Sequence, residues 1–393
     1  MNFSPLPIVA STLANAAGIG WTQVRASMRN GVSGLRRNDF EPAAGLATWI
    51  GRVEGIERCP LPDSWAHFDC RNHRLALLAL EQDGFASAVA GACRRHGRDR
   101  VGVFMGTSTS GILATELAFR AGERAALTPD FYRYRHSMYA VTEFVRTVLD
   151  THGVAATVST ACSSSAKVFA QAARAIAAGV CDAAVVGGVD SLALSTLYGF
   201  NALALLSHEP CRPFDADRDG ISIGEAAGFA LLERSREAPV DLLGYGESCD
   251  AHHMSSPHPE GAGAAAAMRA ALDCAALVPD DIDYINLHGT ASRANDTTED
   301  LAVASIFTRR SLAGSTKGWT GHALGAAGIT EALVCAMALE DGWIPGTLNC
   351  RNVDPQIRSH IALEPSNLAP RHALSNSFGF GGNNCSLVLG RAP

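Results

Sequence analysis

Short apolar runs alternate with alanine-rich stretches of helical length along most of this chain, and that alternation restricts its fold more than any other feature. Val154–Ser159 reads as a strand, Ser163–Ala178 as a helix of small residues, and Ala183–Gly187 as the next strand. The second half has the same grammar. Tyr284–Leu287 is expected as a strand, Thr298–Phe307 as a helix, Leu312–Ser315 as a strand, Ala323–Leu339 as a helix and Cys385–Leu389 as a closing strand. Such alternation indicates an α/β architecture with buried sheets. No Pro/Ser-rich linker interrupts the chain, and the least ordered join lies near Arg234–Pro239. We therefore expect two halves, residues 1–235 and 236–393, packed face to face. No direct sequence repeat relates them.

Composition excludes several classes. Hydrophobic residues make up 47% of the 393 and charged residues 18%, enough apolar material for an extensive core and too little charge for a disordered chain. The formal net charge of -7 argues against a nucleic-acid partner. Eleven cysteines are scattered with no C-x-x-C pair, so neither a zinc ribbon nor a dithiol motif is visible. The N-terminus has no basic region ahead of its apolar stretch, and Ser191–Ser207, the nearest approach to a membrane span, is short and broken by Gly199 and Asn201. A cytoplasmic protein with reduced thiols and no membrane partner is expected.

Four segments carry chemistry. Cys162, in TVSTACSSSAKVF, follows a strand and opens the small-residue helix. Unpaired N–H groups and the positive helix end favour thiolate there, and the turn holds the sulfur out of the core as a nucleophile elbow does. Placement alone leaves open both a nucleophile and one more buried small side chain. His288, in YINLHGTAS, and His322, in GSTKGWTGHALGAAG, also stand beside strand ends, where α/β folds gather their sites. The turn Phe378–Gly382 is glycine-rich, which suits either an oxyanion hole or a tight connection. The HHM-x-x-x-H segment from His252 to His258 has no Cys or carboxylate to complete a ligand set, so no metal is expected. Only two lysines occur, Lys167 and Lys317.

Taken together, TACSSS, CRPFDADRDGISIGEAAG, HGT, STKGWTGHALGAAG and NSFGFGG resemble, in order and spacing, the signature set of the β-ketoacyl-acyl carrier protein synthases. The resemblance implies a thiolase-like fold, two similar halves in a five-layered α/β/α/β/α arrangement, working as a dimer. It implies decarboxylative Claisen condensation of a malonyl carrier protein with an acyl group held on Cys162. His288 and His322 would stabilise the enolate, and the N–H groups of Cys162 and Phe380 the tetrahedral intermediate. Lys317 would support the second histidine, with Glu331 and Asp296 behind. Thr290 and Ser292 would meet the pantetheine arm, and Thr109, Phe200 and Phe378 would border the acyl chain. Arg71 and Arg74 would contribute to a patch for an acidic acyl carrier protein. No cofactor is implied, because substrates ride on the carrier's phosphopantetheine.

Departures from the pattern are informative. After HGT stand Ala291, Ser292 and Arg293, where the family usually has Gly or Ser, Thr and often Pro. Both hydroxyls persist, whereas Arg293 alters the loop, pointing to a specialised type II fatty-acid or polyketide system of polyene-like kind. The partner is a second copy or a ketosynthase-like chain-length subunit. Alternatives in the same fold are a thiolase, which needs a second cysteine near the C-terminal glycines, and a silent chain-length subunit, which typically lacks the nucleophile. A Cys–His hydrolase would not require two histidines and Lys317. Lys167 and Arg293 have no assigned role.

Overall fold

The computed structural model describes residues 4–234 and 236–392. The expected boundary residue, 235, and the terminal residues 1–3 and 393 lie outside the described residues.

Ten strands build the main sheet path: β1 (Leu6–Asn15), β2 (Val101–Gly106), β3 (Ala155–Val158), β4 (Ala183–Asp190), β5 (Ala226–Glu233), β6 (Val240–Cys249), β7 (Tyr284–Asn286), β8 (Leu312–Gly314), β9 (His372–Gly379) and β10 (Asn383–Arg391). Their spatial order is β8-β7-β9-β10-β6-β1-β5-β4-β2-β3. β2 is parallel to β3 and β4, β7 is parallel to β8 and β9, and the remaining neighbours are antiparallel. The first five strands and the last five follow the same order within their halves, so the repeat that is invisible in the sequence is plain in the topology. Among the described residues, the halves pair edge to edge where Leu6 and Pro7 meet Leu242 and Asp241.

The principal helices are α1 (Arg71–Leu80), α2 (Phe85–His96), α3 (Ala140–Leu149), α4 (Ser164–Ala177), α5 (Ala262–Ala275), α6 (Arg293–Ala304) and α7 (Ala327–Asp341). Helices α4 and α7 pack against each other and against strands of both halves. They form a central layer, which explains why α7 is buried through thirteen consecutive residues, Ala327–Leu339, nearly all of them apolar apart from Thr330 and Glu331. Helices α1–α3 cover the outer face of the first sheet and α5 that of the second, with α6 against α5. Five layers result, with separate apolar cores around Phe144 and Phe229, around Phe169 and Leu333, and around Met268 and Ile285.

Two expectations shift. Helix α6 begins at Arg293 rather than Thr298, because Ser292 caps it by accepting from Asn295 N–H. Its buried face is acidic (Asp296, Glu299, Asp300), so an apolar period starts too late to mark its beginning. Helix α7 begins at Ala327 rather than Ala323, since Leu324 takes a left-handed φ of 53° and breaks the run. Within Ser191–Ser207 the helix covers only Leu194–Ala202. Among the described residues no helix is long and apolar enough to cross a membrane.

Candidate active site

The nucleophile turn is built by close packing. β2 and β4 end against the start of α4, where a Cβ on Gly106 would lie 2.4 Å from Ser165 N and one on Gly188 2.5 Å from Ser165 Cβ. Only glycine lets the helix approach so near. Ala161, directly before Cys162, holds a left-handed φ of 50°, a strained conformation for a residue with a Cβ. A Cβ on Gly379 would sit 2.6 Å from Thr160 O, so the C-terminal glycine turn lies directly on the nucleophile turn.

Three side chains from distant segments meet there. Cys162 Sγ is 3.0 Å from His322 Nε2, and the His288 and His322 rings stand edge to face with centroids 5.2 Å apart. One ligand atom from each of the three lies within 4.8 Å of the others. All three side chains are buried, yet they line one cavity of about 90 Å³ together with Phe200, Thr290, Ser292, Phe378 and Phe380. Segment Ser255–Pro257 and Asn295 complete its outer wall.

The electrostatics correct one expectation. Cys162 is not at the helix end itself but precedes the cap Ser163, and burial pushes its thiol up to about 12. Lys317 and the Phe380 N–H, which faces the sulfur, pull the other way without prevailing. The resting group is a thiol. Burial, with Lys317 adding to it, holds both imidazoles well below the usual histidine range, so they are neutral. A neutral imidazole beside the sulfur can accept the thiol proton as a bond to carbon forms.

Lys317 is buried and donates to the carbonyl of His288 and to the carboxylate of Glu331. Burial pushes the Glu331 carboxyl up to about 7 against the pull of that lysine. Asp296 accepts from the N–H groups of Thr290 at 2.9 Å, Ala291 at 3.2 Å and Phe214 at 2.9 Å, holding the loop after His288. Thr290 and Ser292 hydroxyls are 2.9 Å apart. Phe200 stacks on Phe380 at 5.6 Å, and Phe378 meets His288 edge-on at 6.0 Å.

Two groups of candidates do not fit. Thr109 is not among the residues lining the cavity; its hydroxyl and N–H are both tied to Asp190. Arg71 is not a surface cation, because its guanidinium is buried against Glu225 and Glu57. Arg74, half-buried, is held by both oxygens of Asp69. Neither presents free positive charge. Of the residues without an assigned role, Lys167 reaches Asn383 Oδ1 at 3.3 Å, and Arg293 is exposed with its guanidinium on the carbonyl of Ala216.

Two positioning carboxylates escaped the sequence reading. Glu299 accepts from the N–H groups of His288 and Gly289, each at 2.8 Å. Asp190 accepts from Thr107, Ser108, Thr109 and Gly325, joining the end of β2 to the segment after His322. The signals were present: Asp190 is an acid at a strand end, and Glu299 lies one helical turn beyond Asp296.

Residues 71–238 match the model for the beta-ketoacyl synthase N-terminal domain and residues 241–351 that for its C-terminal domain. The chain is 33% identical over 312 residues to 3-oxoacyl-[acyl-carrier-protein] synthase 2 of Staphylococcus aureus, covering 74% of this chain and 77% of that one. With the namesake from Rhizobium meliloti (strain 1021) it shares 43% identity over 255 residues, 60% of each chain. Across three such relatives the match spans 55% to 61% of their length. A ketosynthase (ApeO), solved in complex with its chain length factor (ApeC) from Xenorhabdus doucetiae, superposes with a TM-score of 0.90 at 38% identity, covering 99% of this chain and 98% of that one. The layers, the meeting of Cys162 with His288 and His322, and these likenesses agree that the chain belongs to the β-ketoacyl synthase family and has its thiolase-type fold.

Proposed function

We propose that this protein is a β-ketoacyl-acyl carrier protein synthase, an acyltransferase condensing malonyl units in a type II fatty-acid or polyketide system. The observation that carries the reading is the convergence of one thiol and two neutral imidazoles in a single cavity. In the first half-reaction Cys162 attacks the thioester carbonyl of an acyl carrier protein. His322 Nε2 takes the thiol proton, the new oxyanion faces the N–H groups of Cys162 and Phe380, and the carrier thiol leaves with a proton. Malonyl carrier protein then enters, its arm meeting Thr290 and Ser292. Decarboxylation places negative charge on the thioester oxygen, where His288 and His322 donate. CO2 leaves, the carbanion attacks the acyl-Cys162 carbonyl, the C–C bond forms and the C–S bond breaks. The released Cys162 thiolate takes a proton from solvent to return to the thiol. Removing one such donor costs roughly 10²–10³ in rate.

Lys317 and Glu331 act on the histidines rather than on substrate, and Asp296 holds the arm-binding loop. Phe200 and Phe378 border the acyl chain. The reaction needs no cofactor beyond the carrier's own phosphopantetheine. A thiolase reading is disfavoured because Cys385 is fully buried within β10 and is not among the cavity residues. A silent-subunit reading is disfavoured by the complete Cys, His, His set. We read residues 1–235 and 236–393 as the two halves, place the protein in the cytoplasm, and assign it a homodimer or a heterodimer with a chain-length partner. Measuring CO2 release from malonyl carrier protein tests the histidine roles: His288→Ala and His322→Ala must each lose most of it, and parental rates would overturn the assignment.

A further inference from the structure

We propose that Cys162, His288 and His322 bind one soft divalent cation such as Zn2+ in the unacylated protein, and that the bound ion reversibly blocks the thiol. Among the described residues this is the one group of three or more His, Cys, Asp or Glu donors brought so close, each ligand atom within 4.8 Å of the others. Tetrahedral zinc, with bonds of about 2.3 Å to sulfur and about 2.0–2.1 Å to nitrogen, holds such donors roughly 3.3–3.6 Å apart. The Sγ to Nε2 distance of 3.0 Å is shorter than that range and all three pairs lie within 4.8 Å, so side-chain torsions that open this contact and draw in the second imidazole bring the donors onto one ion. A thiolate with two imidazoles is a donor set that suits zinc and its neighbours in the first transition row. The cavity of about 90 Å³ beside the three leaves room for water as a fourth ligand.

The surroundings make this an exchangeable site rather than a resident one. Histidines that hold metal permanently almost always anchor their second ring nitrogen, whereas Nδ1 of both imidazoles has no hydrogen-bond partner. The Lys317 ammonium nearby repels an added dication, although Glu331 offsets it and the thiolate cancels one charge. Binding is a ligand exchange without redox change: the Sγ–H bond breaks, the proton leaves to solvent, and the sulfur lone pair forms the metal bond. That lone pair is the one an acyl transfer requires, so metal and acyl group exclude each other. The ligand set stands on geometry alone and does not depend on the condensation reading.

The test is a titration of the metal-free full chain with Co2+, then Zn2+, in a Cys59→Ser, Cys249→Ser background that removes the two exposed thiols. The expected result is one tightly held ion per chain and a thiolate-to-cobalt charge-transfer band. Both vanish in Cys162→Ser, and His288→Ala or His322→Ala, each removing a ligand, weakens binding by more than the roughly 10–100-fold that loss of a group supporting a ligand causes elsewhere. Carboxamidomethylation of Cys162, confirmed by peptide mass, abolishes the band without any active-site mutation, which keeps the result readable where a variant misfolds. His252→Gln with His258→Gln leaves the band unchanged. A parental chain without the band, or a band that survives Cys162→Ser or alkylation, overturns the proposal.

Discussion

Lys317 donates to the main-chain carbonyl of His288 while holding the carboxylate of Glu331, so one buried ammonium ties the loop carrying the first imidazole to the helix that follows the second. Breaking such a pair from one side leaves a buried group uncompensated, at a cost of about 3–5 kcal/mol. Lys317→Met should therefore be destabilised by that order in urea unfolding, and adding Glu331→Gln should recover part of the loss. CO2 release from malonyl carrier protein should stay low in both variants, since the ammonium is absent from each.

A pH dependence follows from the same pair. The Glu331 carboxyl, ordinarily near 4.5, is pushed up to about 7 by burial. Between those values the folded protein keeps a proton that the unfolded chain has released. Its contribution to stability is therefore complete below 4.5 and declines as pH rises to about 7. Unfolding midpoints of Glu331→Gln across this window should decline less steeply than the parent's. Glu299, pushed up to about 7 by its own burial, supplies part of the slope that remains.

Gly379 offers a packing test of the nucleophile turn. An added methyl group meets Thr160 O at 2.6 Å and the N atoms of Cys162 and Ser163 at 3.2 Å, all of it backbone. Gly379→Ala should cost about 1–3 kcal/mol through overpacking. It should also carry the Phe380 N–H away from the sulfur, and a displacement near 1 Å can lower a rate about 10²-fold. Rapid-quench acylation kinetics and a thermal melt on the same sample separate the two effects.

Arg71 should behave as a structural residue. Its partner Glu225 is fully buried and also accepts from Val53 and Leu192 N–H groups. Arg71→Met should lower stability by about 3–5 kcal/mol, with KM for the carrier protein in the folded fraction unchanged. A raised KM with parental stability would restore Arg71 to the carrier patch.

The order of elements was legible in the sequence because it rests on local signals, whereas strand-end placement only allowed Cys162, His288 and His322 to share a site and the resemblance to the family supplied their roles. What escaped depends on tertiary burial. The acidic inner face of α6 has no apolar period, so the helix start and Glu299 were missed together. Arg71 looked solvated because its counter-charge, Glu225, lies 154 residues away. The direction of the thiol shift was misjudged for the same reason: helix placement can be read from sequence, whereas the depth of burial that outweighs it cannot.

The central claim is that Cys162 carries the growing acyl chain. Intact-protein mass spectrometry after incubation with an acyl carrier protein, followed by peptide mapping, tests it most directly. The parent should gain the mass of one acyl group on the peptide containing Cys162 and lose it when malonyl carrier protein is added, with Cys162→Ala gaining nothing. An adduct that maps to another residue, or a Cys162→Ala protein that still takes up the acyl group, contradicts the account.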